Sequence, residues 1–231
     1  EKGRGVEQNY KEAVSLFNKS AEQGNAGARA NLGLMYEKGR GVPQSDKEAA
    51  FYMRQAADDG DARGQLNLGV MYAKGRGVGK NKRTAEAWVR KAAEQGYAHA
   101  QYTLAVMYSS EGANEDDKDP WFEEAARWYL KAADQGHVGA QANLALSYEK
   151  GQGVVQSDKE AAKWMRRAAD AGDARSQLNL GLMYANYKNY ATALLWARKA
   201  ADQGNTKAPG LIQMIEVDSV YSSHTPTEMG T

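Results

Sequence analysis

The run Ala56-Ala57-Asp58-Asp59-Gly60-Asp61-Ala62-Arg63-Gly64-Gln65-Leu66-Asn67-Leu68-Gly69-Val70-Met71-Tyr72 is written again and again along this chain, with small changes. Its Ala-Ala-acidic-x-Gly portion places glycine at Gly60, Gly96, Gly136, Gly172 and Gly204. With Gly24 at the head, the spacings are 36, 36, 40, 36 and 32 residues. A period in the thirties means one supersecondary unit stacked on copies of itself, not a single globular core. Stacks of this kind offer extended surfaces suited to holding other proteins.

Each unit has two halves. The first occupies residues 26–36, 62–72, 98–108, 138–148 and 174–184. In each, a leucine is followed by glycine or alanine, with tyrosine four residues after the leucine, which puts all three on one side of a helix. Gly33, Gly69, Ala105, Ala145 and Gly181 are small enough to let a second helix approach closely; without that reason a mid-helix glycine only costs about 1 kcal/mol. The second half runs from Asp46 through Ala49, Ala50 and Tyr52 to Ala57, with Trp88, Trp128, Trp164 and Trp196 at the place of Tyr52 in later copies. Asp46 and Asp158 are expected as N-caps, and the closing glycines suit the left-handed position after a helix. Each unit is therefore predicted to be two antiparallel helices.

The halves are joined by Lys38-Gly39-Arg40-Gly41-Val42, which recurs at 2–6, at 74–78 and, with glutamine for arginine, at 150–154. These motifs in register resemble the SEL-one-like repeat family, a longer-looped relative of the tetratricopeptide repeat. The resemblance spans residues 1 to about 205 and implies an all-α, right-handed α/α superhelix of about five and a half helix-turn-helix repeats. The expected units are 1–25 (partial), 26–61, 62–97, 98–137, 138–173 and 174–205. A C-terminal capping helix over 206–218 and a flexible tail over 219–231 follow. Two places depart from the pattern. An acidic segment over 111–119 replaces one loop, and Asn186-Tyr187-Lys188-Asn189 shortens another.

A larger period lies inside the first. A shift of 112 residues superimposes Gln44-Ser45-Asp46-Lys47-Glu48-Ala49-Ala50 on Gln156-Ser157-Asp158-Lys159-Glu160-Ala161-Ala162. It also carries Gly60-Asp61-Ala62-Arg63 onto Gly172-Asp173-Ala174-Arg175. This reads as a duplicated three-unit block or as copying between units, with similar surfaces expected three units apart.

Composition narrows the function classes. A net charge of +1 over 231 residues does not favour broad nucleic-acid binding, and no apolar run has the length of a membrane span. No cysteine is present, so there is no disulfide framework. His99, His137 and His224 are scattered and read as surface residues; no metal-ligand spacing, Walker loop or nucleophile elbow occurs. The Gly-Arg-Gly loops follow helices, not strands, and are not a dinucleotide fingerprint. The tryptophan and tyrosine series reads as core. No catalytic residue, cofactor or metal is expected. Because residues 1–6 read as a linker without its preceding helix, the chain is expected to be a piece of a longer protein. Ala13, Leu16 and Phe17 of the next helix are expected to need a cover.

The resemblance implies a non-enzymatic scaffold or adaptor that binds a protein or extended peptide on a concave face lined by the first helices. Asn31, Asn67, Asn143 and Asn179, with Thr103 in the same series, stand where tetratricopeptide domains bond a peptide backbone. An amide side chain suits that role by offering donor and acceptor together. Arg63, His99 and Arg175 lie one turn earlier, and Tyr102 lies beside Thr103. Secondary interaction candidates are Arg40 and Arg76 in a basic row of loops, and the pair Trp121 and Phe122. The resemblance implies a bacterial protein, expected in the periplasm or secreted, with the cytoplasm as the alternative compartment. Two further roles fit the resemblance: an immunity protein neutralising a bacterial toxin, or a non-catalytic region of a larger enzyme or secretion component.

Overall fold

The computed structural model describes residues 9–112 and 119–224. Among them are twelve α-helices and no strand. A first compact unit covers residues 1–114 and a second covers 115–231. The first holds α1 (Tyr10–Glu22), α2 (Ala26–Lys38), α3 (Asp46–Asp58), α4 (Ala62–Lys74), α5 (Lys82–Glu94) and α6 (Ala98–Gly112). The second holds α7 (Asp119–Asp134), α8 (Val138–Lys150), α9 (Asp158–Asp170), α10 (Ala174–Asn186), α11 (Tyr190–Asp202) and α12 (Ala208–His224). Within each unit every helix packs on its neighbour in sequence. This is the all-α repeat architecture that the periodicity predicts.

The helices start where side chains satisfy their first amides. Asn25, Asp61, Asn81 and Asp173 each accept from the backbone N–H three residues on. Asp46 and Asp158, expected as caps, are instead the first helical residues. Ser45 and Ser157 cap α3 and α9 by accepting from the N–H of Glu48 at 3.2 Å and of Glu160 at 3.3 Å. The aspartates still favour these ends through their charge beside the helix dipole. His137, read from sequence as a solvated histidine, is half-buried and caps α8, its Nδ1 accepting from the Ala140 N–H at 3.2 Å.

In each unit the core is a layer of leucine and alanine repeated from one helix pair to the next. Leu32, Leu68, Leu104, Leu144 and Leu180 are at most 1% exposed, and Ala56, Ala92, Ala132, Ala168 and Ala200 are fully buried. Burying each leucine contributes roughly 1.5–3 kcal/mol. Alanine on the facing helix keeps the backbones close. Trp128, Trp164 and Trp196 are buried and Trp88 is half-buried. Lys91, Lys131 and Lys199 lie 4.2, 4.1 and 4.3 Å from the ring centres of Trp88, Trp128 and Trp196. Each lysine ammonium thus sits within cation–π distance of its ring.

A buried glutamine series ties successive helices together. Gln65, Gln101, Gln141 and Gln177 donate to the carbonyls of Ala57, Ala93, Ala133 and Ala169 at 3.0–3.2 Å. Each bond brings a second donor to a carbonyl in the last turn of the preceding helix, which also accepts the N–H of the closing glycine. In α2, Arg29 takes this role towards Ala21 and pairs with Asp59.

At the C-terminal side, Ala208, Leu211 and Ile215 of α12 pack against Leu178, Ala193 and Ala197. The helix packs on the last pair and runs to His224, beyond the 206–218 span read from the sequence. Residues 225–231 of the expected tail lie outside the described residues. In α1, Phe17 packs with Val14, Ala21 and Met35, so it has a cover within the unit, whereas Leu16 is 59% exposed. The segment 113–118 of the acidic insertion also lies outside the described residues.

Candidate functional site

The sequence expectation centres on α2, α4, α6, α8 and α10, the first helix of each pair. On them Leu32, Leu68, Leu104, Leu144 and Leu180 point into the core, which places the preceding residue at its edge. Asn31, Asn67, Thr103, Asn143 and Asn179 are accordingly all half-buried. Their hydrogen bonding differs. Asn143 donates to the Tyr129 hydroxyl at 3.1 Å and accepts from Arg175 at 3.0 Å. Thr103 donates to the His99 carbonyl at 2.7 Å. The amide groups of Asn31, Asn67 and Asn179 bond to no other described residue.

The residues one turn earlier are more open. Arg63 is exposed and lies 4.0 Å from Asp61. His99 is exposed and stacks on Tyr97 with centroids 5.5 Å apart; Tyr102 is half-buried. Arg175 is exposed but engaged with Asn143. Trp121 is 36% exposed at the start of α7, and Phe122 beside it is half-buried.

The loop arginines are held against their own unit. The Arg40 guanidinium lies over the Tyr10 ring, 5.4 Å from its centre. Arg76 donates to both carboxylate oxygens of Asp46 at 2.7 and 3.3 Å and to Glu37 at 2.9 Å. Those hydrogen bonds hold the Asp46 carboxyl below the usual carboxylate range, and the bond to Asp46 raises the arginine. The clasp depends on how the loop seats on α3. At Gly77, φ is +66°, and a Cβ there would lie 1.9 Å from the Asp46 carbonyl oxygen. Sequence reading places Arg76 in a basic row but does not identify Glu37 and Asp46 as its partners. The signal lies in the 112-residue repeat, which carries the two acids to Glu149 and Asp158.

Two openings flank the asparagines, and both lie within single units. In the first unit a cavity of about 20 Å³ is bounded by Glu37, Met53, Asn67, Met71 and Arg76. In the second a groove of about 780 Å³ runs between α8, α9 and α10, with Met165, Asn179, Leu182 and Tyr187 on its walls. Among the described residues, no group of three or more His, Cys, Asp or Glu is placed to hold a metal ion. No helix among them is long and apolar enough to cross a membrane.

The family model for the Sel1 repeat matches residues 1–25, 26–61, 62–97, 98–137, 138–173 and 174–205. Compared with curated proteins, the chain matches none. Among solved structures it is similar to c5321, a protective antigen present in uropathogenic Escherichia coli strains displaying an SLR fold, at 33% identity and a TM-score of 0.79. That match covers 91% of this chain and 45% of the other, so the chain spans less than half the length of the Escherichia coli protein. A Sel1 repeat protein from Oxalobacter formigenes is similar at 32% identity and a TM-score of 0.76, covering 88% of this chain and 81% of that one. The immunity protein Pa5087 from Pseudomonas aeruginosa shares the fold at 20% identity and a TM-score of 0.54, over 93% of this chain and 77% of that one.

Proposed function

The chain belongs to the Sel1 repeat family, whose repeats mediate protein–protein interaction, and on that footing we propose that it is a non-enzymatic scaffold that holds a protein or an extended peptide. The binding surface is the face of the first helices, expected to be concave. The observation that supports this reading most is the state of the asparagines. Asn31, Asn67 and Asn179 sit half-buried at equivalent positions with amide groups that bond to no other described residue. A half-buried amide lacking a protein partner is suited to bonding a peptide backbone at two points. Asn143 is spent on Tyr129 and Arg175, which limits the series on its side.

The test compares the native protein with a variant carrying Asn31→Ala, Asn67→Ala, Asn143→Ala and Asn179→Ala. Both are immobilised and used to capture partners from lysate and envelope fractions of the source cell, after circular dichroism has shown equal helicity. A protein retained by the native form and lost by the variant supports the reading. Equal retention overturns the asparagine surface and leaves Trp121, Phe122, Arg40 and the exposed Arg63 as the positions to test next.

A further inference from the structure

The duplicated block permits a comparison within the molecule. Helices α2, α3 and α4 are repeated as α8, α9 and α10 with every boundary displaced by 112 residues. Glu37, Ala49, Met53, Asn67 and Met71 around the small cavity correspond to Glu149, Ala161, Met165, Asn179 and Met183 around the large groove. Two copies of one arrangement therefore differ in open volume by about 20 against 780 Å³. The former has room for about one water molecule. The latter is within the size range of ligand-binding clefts.

One loop makes the difference. After α4 the chain runs Gly75-Arg76-Gly77-Val78-Gly79-Lys80-Asn81 before α5, and Arg76 closes the cavity by bridging Asp46 and Glu37. After α10 only Tyr187-Lys188-Asn189 precedes α11. The loop that would carry the arginine is absent. Its two acidic partners remain: Glu149 and Asp158 are exposed, where Glu37 and Asp46 are half-buried, and neither forms an ion pair with a described residue. Lys188 stands at the matching number but is exposed and unpaired among the described residues. Lys150 and Lys159 also border the groove, but Lys38 and Lys47 stand at the same places in the first copy, where Arg76 still takes both acids.

We propose that the groove between α8, α9 and α10 receives an arginine side chain from a partner protein, its guanidinium set between Glu149 and Asp158 as Arg76 is set between Glu37 and Asp46. The proposal rests on the protein-binding reading above and names the chemistry of the partner segment. Arginine fits better than lysine because Arg76 uses three donors on two carboxylates, two of them on the paired oxygens of Asp46. Apolar residues flank the arginine in the partner, because Leu182 is 40% and Tyr187 78% exposed on the groove wall. Asn179 projects into the same opening, so its free amide is available to the backbone of that segment.

The test pans a phage-displayed library of random twelve-residue peptides against the full 231-residue chain. Selected peptides are synthesised and titrated by fluorescence anisotropy at low and high salt. The expected consensus contains arginine beside apolar residues, and its replacement by glutamine weakens binding about tenfold or more. The double variant Glu149→Gln, Asp158→Asn is expected to lose the same factor while keeping its helicity, since both side chains are exposed and unpaired. Glu37→Gln in the first copy is expected to leave binding unchanged. No enriched peptide, a consensus without arginine, or binding unaffected by the double variant overturns the proposal. If peptides bind the double variant but not the asparagine variant, the arginine site between Glu149 and Asp158 is overturned and the wider reading survives. Concentration-dependent self-association seen by sedimentation, and lost in the double variant, would assign the groove to a second copy of this chain and also overturn the proposal.

Discussion

At Gly77 two independent constraints fall on one residue: a left-handed backbone, and a contact with the Asp46 carbonyl that leaves no room for a side chain. Gly60 carries the first constraint alone, with φ +89° and nothing within 4 Å of an added Cβ. Gly60→Ala is expected to cost about 1–2 kcal/mol and Gly77→Ala roughly 2 kcal/mol or more. Urea unfolding of the two variants compares them directly, and equal losses would remove the contact as a cause. Asp46 provides a second residue-scale prediction. Its folded pKa lies below its unfolded value, so the associated stability is complete above the unfolded value near ~4 and is lost as pH falls through the folded one. Asp46→Asn should therefore destabilise at neutral pH and by progressively less as pH falls below about 4. Asp158→Asn, without an arginine opposite, is expected to cost less at neutral pH. Urea midpoints at neutral and acid pH check the pair. The glycine, arginine and aspartate are all visible in the sequence. That the arginine spans to the preceding helix pair is not, because nothing in a linear motif states which loop rests on which helix end.

Between elements, the glutamines are the feature that patterning does not reveal. Gln65 is 5% exposed and donates to Ala57 at 3.2 Å while accepting from Gln95 at 2.8 Å. Gln65→Leu removes both bonds, while the Ala57 carbonyl keeps the N–H of Gly60. The expected cost is about 1–3 kcal/mol, read by thermal unfolding. A polar residue at the start of a helix looks like surface until the preceding helix end is known to lie over it. The loops carry the other element-scale prediction. Replacing residues 186–189 by the sequence of residues 74–81 restores the loop that bears the arginine. This chimera is expected to stay folded and to lose arginine-peptide binding about tenfold or more. A chimera that binds as the native chain does would separate the missing loop from the open groove.

For the molecule as a whole, the 112-residue repeat means that two similar sequences, α2–α4 and α8–α10, are packed in separate compact units. Leu68 and Leu180 occupy equivalent core positions, 0 and 1% exposed. Leu68→Ala and Leu180→Ala are each expected to cost about 2–5 kcal/mol, by similar amounts in urea unfolding. A large difference would show that the two copies relax differently around a cavity. The sequence by itself determined the all-α repeat, its helix pairs, the leucine and alanine layer and the burial of Trp128, Trp164 and Trp196. These follow from local periodicity, and a repeat contacts mainly its neighbours, so short-range pattern carries most of the information. Only the tertiary structure decided that serines rather than aspartates cap α3 and α9, that Asn143 is already bonded, and that the Arg76 site is closed once and open once. Those facts depend on which side chain reaches which from another helix or loop. Such reach is set by packing distances and loop length, and no residue's own neighbours in sequence contain it.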